Sequence, residues 1–354
     1  MSSMMAPNSR LPWLGAITAL FVVWSLYATM SSSRLKYPVS SAVKGDSPKG
    51  SSTSPIVDTV EVVSDRPLIQ YAYADGKTDN ARKNLEFFLA HGLHGAADFV
   101  FILNGETTAK SLIPNEPNIR IVQRANDCYD MGAHAEVLQA DDNYKRYKRF
   151  ILMNASVRGP MLPHWTRECW TDMFLGRLTE KVKLVGLTAN CKPFFHVQSM
   201  VLATDIIGIE TLLHPSQEVL DIYEADPPPN LRPSDPLPWQ SPGINGCFHT
   251  WESAVNAEVS TTRLLQKAGF KVDVMMSAFH SMNDYPAECE PESGDLLWEN
   301  EYYGISVHPF ETVFMKANRD ITPLTVDRHT EWINKNKYSS YDYCKEPSRA
   351  NYKL

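Results

Sequence analysis

Four apolar runs in this chain stop on groups that bind ligands or carry protons. They end in Asn104-Gly105-Glu106, Arg124-Ala125-Asn126-Asp127, Asn154-Ala155-Ser156 and Thr188-Ala189-Asn190. Amides and hydroxyls offer donors and acceptors, and carboxylates hold hard cations or take up a proton. A guanidinium forks onto phosphate oxygens and stays charged. Arg158, two residues past Ser156 and just ahead of Gly159-Pro160, supplies one. Ligands of open α/β sheets sit beyond the carboxyl ends of the strands. Asn and Ser also cap ordinary turns, so any single end reads first as a turn. Four together point to the floor of a polar pocket.

The residues between these ends must form the frame that positions them. "PLIQYAYA", "ADFVFILNG", "NIRIVQRAN" and "KRFILMNAS" read as strands, the second a continuous apolar run of the buried parallel kind. "TDNARKNLEFFLAHGL" has helical spacing, with Thr78 or Asp79 as cap and Gly92 near its end, and "DMGAHAEVLQA" reads as a helix. This alternation predicts an α/β sheet. Further on, "HWTRECWTDMFLGRL" predicts a helix with an aromatic face and "VKLVGLTAN" a strand. "VQSMVLATDIIGIETLL" predicts a strand then a helix, "WESAVNAEVSTTRLLQKAG" a helix closed by Gly269, and "FKVDVMM" a strand. "ISVHPFETVFMKANRD" is a late strand-loop or helical element, and residues 225–242 are a Pro-rich surface loop.

The 354 residues carry a net charge of -7 with no long basic run, which excludes a nucleic-acid partner on electrostatic grounds. Residues 11–30 hold no charge, and none occurs between Arg10 and Arg34. At ~1.5 Å per residue, about 20 residues cross the ~30 Å hydrocarbon core. After a short tail (1–10), this segment predicts a transmembrane signal anchor, with a cleaved signal peptide as the competing reading. Residues 31–65, rich in Ser, Pro, Lys and Gly, predict a flexible stem. Arg34, Lys36, Lys44 and Lys49 follow the anchor, and the positive-inside rule alone puts the body in the cytosol. Six cysteines without a CxxC pair permit disulfides of open connectivity. Asn154-Ala155-Ser156 is also a glycosylation sequon, though a strand end encloses its asparagine. No G-x-G-x-x-G, P-loop, H-E-x-x-H or G-x-S-x-G occurs, which weakens dehydrogenase, NTPase, zinc-protease and hydrolase readings.

The stretch "NLEFFLAHGL…ADFVFILNG…NIRIVQRANDCYDMGAHAEVL…YKRFILMNASVRGPMLPHW" resembles glycosyltransferase-like proteins related to bacterial rhamnan-synthesis protein F, above all their eukaryotic relatives. "VKLVGLTANC…HVQSMVLATDIIGIETLL" and "HPFETVFMKANRD" continue the likeness, which covers roughly Arg66 to Asp320. Asn126-Asp127-Cys128-Tyr129-Asp130-Met131-Gly132 resembles the family's Asn-x-Gly-x-Asp-x-Gly segment. Asn154-Ala155-Ser156-x-x-Gly159-Pro160 resembles its Asn-Asp-Ser-x-x-Gly-Pro segment.

The resemblance implies an α/β, GT-A-like (Rossmann-like) mixed sheet flanked by helices, preceded by the transmembrane helix and disordered stem. The transferase-like domain spans 66–325, with a C-terminal extension over 326–354. It implies a glycosyltransferase moving a sugar from a nucleotide-sugar donor to a glycan or glycoconjugate acceptor, as a single-pass type II membrane protein of the secretory pathway, in the Golgi. Donor-binding candidates are Asn104, Asn126, Asp130, Gly132, Asn154, Ser156 and Arg158. Helix capping competes for Asn126 and Asp130, and a surface ion pair for Arg158. Glu252 and Asp205 are candidate catalytic acids, Glu252 also reading as a helix first-turn acid. Gln198, Ser199, His308 and Glu311 are acceptor-side candidates, and Trp165, Trp170 and Trp251 could stack on a sugar.

Fold relatives bind Mn²⁺ or Mg²⁺ through a D-x-D motif that this chain lacks, with Asn154 and Ser156 in its place and Ala155 between them. Three alternatives stay open: the donor is held without metal, another acid supplies the ligand, or the chain does not transfer sugar. In the last case it is a non-catalytic glycan-binding or scaffold protein. A secreted hydrolase is a further alternative if the first segment is cleaved.

Overall fold

The structure, a computed structural model, describes residues 64–226, 242–289, 295–319 and 321–345. The expected anchor, the stem up to residue 63 and nearly all of the Pro-rich loop lie outside the described residues. No described helix is long and apolar enough to cross a membrane.

Seven strands form one mixed sheet: β1 (Leu68–Tyr73), β2 (Asp98–Asn104), β3 (Ile119–Arg124), β4 (Arg149–Asn154), β6 (Val182–Gly186), β9 (Val201–Asp205) and β10 (Lys271–Val274). Their order is 10-6-9-4-1-2-3. All six side chains of β1 and six of seven in β2 are buried, because helices cover both faces of the sheet. β1 is parallel to β2 and β4, β2 to β3, and β10 to β6. β9 alone is reversed, antiparallel to both β4 and β6. Two small ribbons pair β5 (Val157–Arg158) with β11 (Met315–Lys316) and β7 (Ala189–Asn190) with β8 (His196–Val197).

Strands β2 and β3 wind outward on one side of β1, and β4 lies on the other. The winding therefore reverses between β1 and β4, whose carboxyl ends stand level, Ala72 opposite Asn154. Such a reversal is where open α/β sheets place their ligand crevice.

The helices used below are α1 (Asn80–His91), α2 (Tyr129–Gln139), α3 (Trp170–Leu175), α4 (Ile206–Leu213), α5 (Gln217–Ala225), α6 (Trp251–Lys267) and α7 (Pro323–Asn336). Buried Asn84, Leu85, Phe88 and His91 of α1 recur at helical spacing. Phe88 meets Trp170 of α3 at 5.9 Å between ring centroids, and Trp170 meets Phe314 at 5.1 Å. The Trp170 indole nitrogen donates to the Gly92 carbonyl (2.9 Å). Thr250 and Ser253 exchange hydrogen bonds at the start of α6, and Gly269, expected to close it, takes a left-handed φ of 86° after its end.

Two expectations change. The helix expected over "HWTRECWTDMFLGRL" is only Trp170–Leu175. A turn closed by the Thr166 amide on the Pro163 carbonyl precedes it, and Cys169 is extended where it joins Cys344. The expected boundary at residue 325 also falls inside α7, whose Val326, His329 and Ile333 are buried, so the folded body continues past it.

All six cysteines pair: Cys128–Cys247, Cys169–Cys344 and Cys191–Cys289. The second bridge ties the end of the described body to α3 across 175 residues of chain. Cross-linking a long loop removes unfolded-state entropy, so the paired change Cys169→Ser/Cys344→Ser is expected to cost about 2–5 kcal/mol. Urea unfolding reads this as a lower midpoint, and an unchanged midpoint would show that the bridge does not stabilise the native state.

Candidate active site at the carboxyl edge of the sheet

Asn154 ends β4 half-buried at the crevice. Its amide nitrogen donates to the Asp130 carboxylate of α2. Its amide oxygen accepts from both the hydroxyl and the backbone amide (3.1 Å) of Ser156. A single side chain thus ties α2 to the turn after β4. Its engaged amide nitrogen makes it a poor glycosylation acceptor. Asp130 also accepts from the Met131 amide (3.0 Å). One helical turn on, buried His134 contacts Gln70 of β1 (3.0 Å), and burial lowers its pKa to about 4 against the opposing pull of Asp130. At the end of β1, Tyr73 donates its hydroxyl to Asp75 (2.6 Å). Burial and then that bond push its phenol up to about 12.

Because β9 is reversed, its beginning shares this edge: Val201 stands opposite Met153, and the Asn154 amide donates to the Met200 carbonyl (3.2 Å). The preceding Gln198 and Ser199 arrive beside the Asn154 turn. Buried Gln198 accepts from Thr188 (2.7 Å) and donates to Asp295 (3.1 Å). The Ser199 amide donates to Glu258 of α6 (2.9 Å). The β5–β11 ribbon delivers Lys316, and the Ala317 amide donates to the Ser156 carbonyl (2.8 Å). Arg319 pairs with Asp295 and lies 4.5 Å from the centre of the Trp298 ring. Burial works to raise the Asp295 pKa, but Arg319 and the Leu297 amide overrule it and hold the carboxyl below its usual value. Burial lowers the Lys316 pKa, helped by Arg319 and opposed by Glu258, Asp295 and Asp130.

The expected donor residues therefore fall into two groups along one edge. Asp130, Asn154 and Ser156 converge. Asn104 and Asn126 form a neighbouring group at the ends of β2 and β3. There Arg124 donates to the Asn104 side chain (2.8 Å) and the Asp127 carbonyl (2.8 Å), and pairs with Glu136 (2.6 Å). Asn126 is exposed against Gly105, whose φ of 82° suits a residue without a side chain. Gly132 has a packing reason: a Cβ there would meet the Gly246 carbonyl oxygen at 2.4 Å, beside the Cys128–Cys247 bridge.

The other expected residues do not join these hydrogen-bonded groups. Asp205 ends β9 opposite Arg149, the first residue of β4, and so lies at the far edge of the sheet. It pairs with Lys183 (2.5 Å) and caps α4 through the Gly208 amide (2.9 Å). Glu252 is an exposed first-turn residue of α6; the acid that α6 brings to Ser199 is Glu258. Arg158 is 5% exposed, donates to Asn84 (2.9 Å), and reaches Asp327 and Thr330 of α7 at 3.4 Å. Asn84 in turn donates to the Ala155 carbonyl (2.9 Å), so Arg158 buttresses the turn from behind. His308 caps a short turn through the Phe310 amide (3.1 Å) and packs on His329 of α7 (5.1 Å between ring centroids). Glu311 accepts from the Ser277 amide and the Tyr302 hydroxyl, both at 2.6 Å. Trp170 is core, whereas Trp165 and Trp251 are exposed.

Replacing Arg158 by alanine leaves the buried Asn84 amide oxygen without a donor, an expected loss of about 1–3 kcal/mol in stability. Ligand affinity at saturating folding conditions is expected to stay within a few-fold. A large affinity loss at unchanged melting temperature would return Arg158 to the binding surface.

Among the described residues, no three side-chain carboxylates converge into a ready cation site. Hard cations require several converging oxygens. Among the described residues, the only groups of three candidate ligands within 4.8 Å of one another are His94-Cys169-Cys344 and Asp127-Cys128-Cys247. Their cysteines are consumed in disulfides. Asp130, Asp295 and Glu258 each already accept from a donor of the protein.

No family model and no curated protein matches this chain. Among solved structures it is similar to a mannosyltransferase from Pyrobaculum calidifontis in complex with GDP-Man and Mn²⁺. That match has 11% identity and a TM-score of 0.34, over 74% of this chain and 64% of that one. It is also similar to the glycosyltransferase GlyE of Streptococcus pneumoniae TIGR4, at 9% identity and a TM-score of 0.40, over 81% and 66% of the two chains. An active-site mutant of LgtC matches at 12% identity and a TM-score of 0.38, over 76% and 95%. This chain thus spans just under two thirds of the length of the first two. Likenesses this remote carry no assignment of chemistry.

Proposed function

We propose that the protein is a glycosyltransferase that moves a sugar from a nucleotide-sugar donor to a glycan or glycoconjugate acceptor. One observation carries the reading. The winding reverses between β1 and β4, and at that point Asp130, Asn154, Ser156, Gln198, Ser199, Glu258 and Lys316 gather from five separate stretches of chain. Charged and amide groups collected at such a crevice suit a ligand that combines sugar hydroxyls with phosphate.

In this reading the donor lies across the β1–β4 edge. The acceptor oxygen bonds to the anomeric carbon, the carbon–oxygen bond to the diphosphate breaks, and its electron pair leaves with the phosphate oxygen. Glu258 takes the acceptor proton, its carboxylate oriented by the Ser199 amide. Glu258→Gln is expected to lower kcat by about 10²–10⁴-fold with donor affinity retained. Equal turnover would remove Glu258 from the chemistry.

We place the body in the secretory pathway, in the Golgi, anchored as a type II membrane protein through residues 11–30. The three disulfides support an oxidising compartment. The missing carboxylate pair favours a second reading, a glycan-binding protein without turnover. Incubating the full-length protein with UDP-, GDP- and CMP-sugars and measuring nucleotide release separates the two. Release with one nucleotide class supports the enzyme, whereas saturable binding without release supports the binding protein.

A further inference from the structure

Lys316 occupies a specific face of the β5–β11 ribbon. Residues opposed across an antiparallel pair share a face, and neighbours along a strand take opposite faces. Met315 opposes Arg158, and Lys316 opposes Val157. Lys316 therefore points away from the face on which Arg158 meets Asn84, Asp327 and Thr330. The Ala317 amide clamps this strand to the Ser156 carbonyl (2.8 Å), next to the Asn154 turn.

The charged groups around Lys316 are Asp130, Glu258, Asp295 and Arg319. Each acid has its own donor: Asn154 and the Met131 amide for Asp130, the Ser199 amide for Glu258, and Arg319 with Gln198 for Asp295. The Lys316 ammonium, half-buried, forms no hydrogen bond or ion pair with another described residue. Holding a desolvated cation without a paired anion is costly, and an anionic ligand in the crevice would remove that cost.

This inference rests on the nucleotide-sugar reading above. We propose that Lys316 binds the donor diphosphate directly and takes the place of the divalent cation that a D-x-D motif would hold. Arg319, locked on Asp295, adds charge from behind, and a flexible ammonium suits a point contact to phosphate. As the leaving group gains charge in the transfer step, Lys316 stands where that charge accumulates.

The test is isothermal titration of the full-length protein with UDP and GDP, in EDTA and again in Mn²⁺. One of the two is expected to bind with the same Kd, within about twofold, in both buffers. Lys316→Gln is expected to weaken that binding at least tenfold in both, at an unchanged melting temperature, and Lys316→Arg to restore most of it. Affinity that appears only with Mn²⁺, or is unaltered in Lys316→Gln, overturns the inference while leaving the transferase reading intact. Absence of binding by either nucleotide in both buffers overturns the inference and a nucleoside-diphosphate donor with it. Should Lys316→Gln fail to fold, the salt dependence of the wild-type Kd decides: affinity falling steeply with salt is expected, and a flat profile contradicts a direct charge contact.

Discussion

Asn154→Ala is expected to lower turnover by about 10²-fold while the protein stays folded. The amide is the joint between α2 and the turn after β4: it donates to Asp130 and accepts two hydrogen bonds from Ser156. Without it, Asp130 loses a donor and the Ser156 hydroxyl and amide lose their acceptor, so both groups drift from the crevice. Misplacement by about 1 Å is enough for a loss of that size. The stability cost is expected at about 1–2 kcal/mol, because water reaches this half-buried position and replaces part of the lost bonding. Steady-state kinetics beside a thermal melt checks both parts. Turnover within threefold of wild type would mean that the Asn154 group is a structural turn.

The second large effect is on stability in acid. His94 and His134 are buried, and burial lowers their pKa values from 6.5 to about 3 and about 4. His94 accepts from the Ala96 amide (3.2 Å) and packs edge-on against Phe99 and Trp170, a setting with no room for a second proton. Both native-state pKa values lie below the unfolded value, so from pH 6.5 downward the unfolded chain binds protons that the native chain refuses. The stabilisation is complete above pH 6.5 and is lost as pH falls towards about 4 for His134 and about 3 for His94. Each refused proton is worth about 1.4 kcal/mol per pH unit, so two give a slope of up to about 2.7 between pH 6 and pH 4. Denaturant titrations at pH 7, 5.5 and 4.5 measure it, and His94→Gln is expected to roughly halve the slope. Stability independent of pH across that range would contradict the burial argument.

The middle of the sheet was legible in the sequence because a strand covered on both faces is apolar at every position. "FILMN" and "DFVFILN" announce both the strand and its polar end, which is why Asn104 and Asn154 could be placed at strand ends and Ser156 just past one. Direction was not legible. A short strand buried on both faces reads alike forward or reversed, so Asp205 was expected at the ligand edge and lies at the opposite one. The same reversal brings Gln198 and Ser199 to that edge. Helix phase gave no guide to which acid of α6 meets Ser199: it is Glu258, two turns in from the exposed Glu252.

Arg158 and Lys316 were beyond reach for a different reason. Which cation faces the crevice depends on the register of a two-residue ribbon between distant parts of the chain, Val157 with Lys316. A shift of one residue would exchange the faces, and no local pattern encodes that pairing. His308 and Glu311, drawn from the same late segment as Lys316, brace loops instead.

The central claim is that the carboxyl edge between β1 and β4 holds a nucleotide sugar. Hydrogen–deuterium exchange of the full-length protein, with and without a saturating donor, tests it most directly. Protection is expected in peptides covering residues 126–132, 154–158, 198–200 and 315–319, with the far edge around Asp205 and Lys183 unchanged. Protection confined to other surfaces, or none at a concentration where binding is demonstrated, would contradict it.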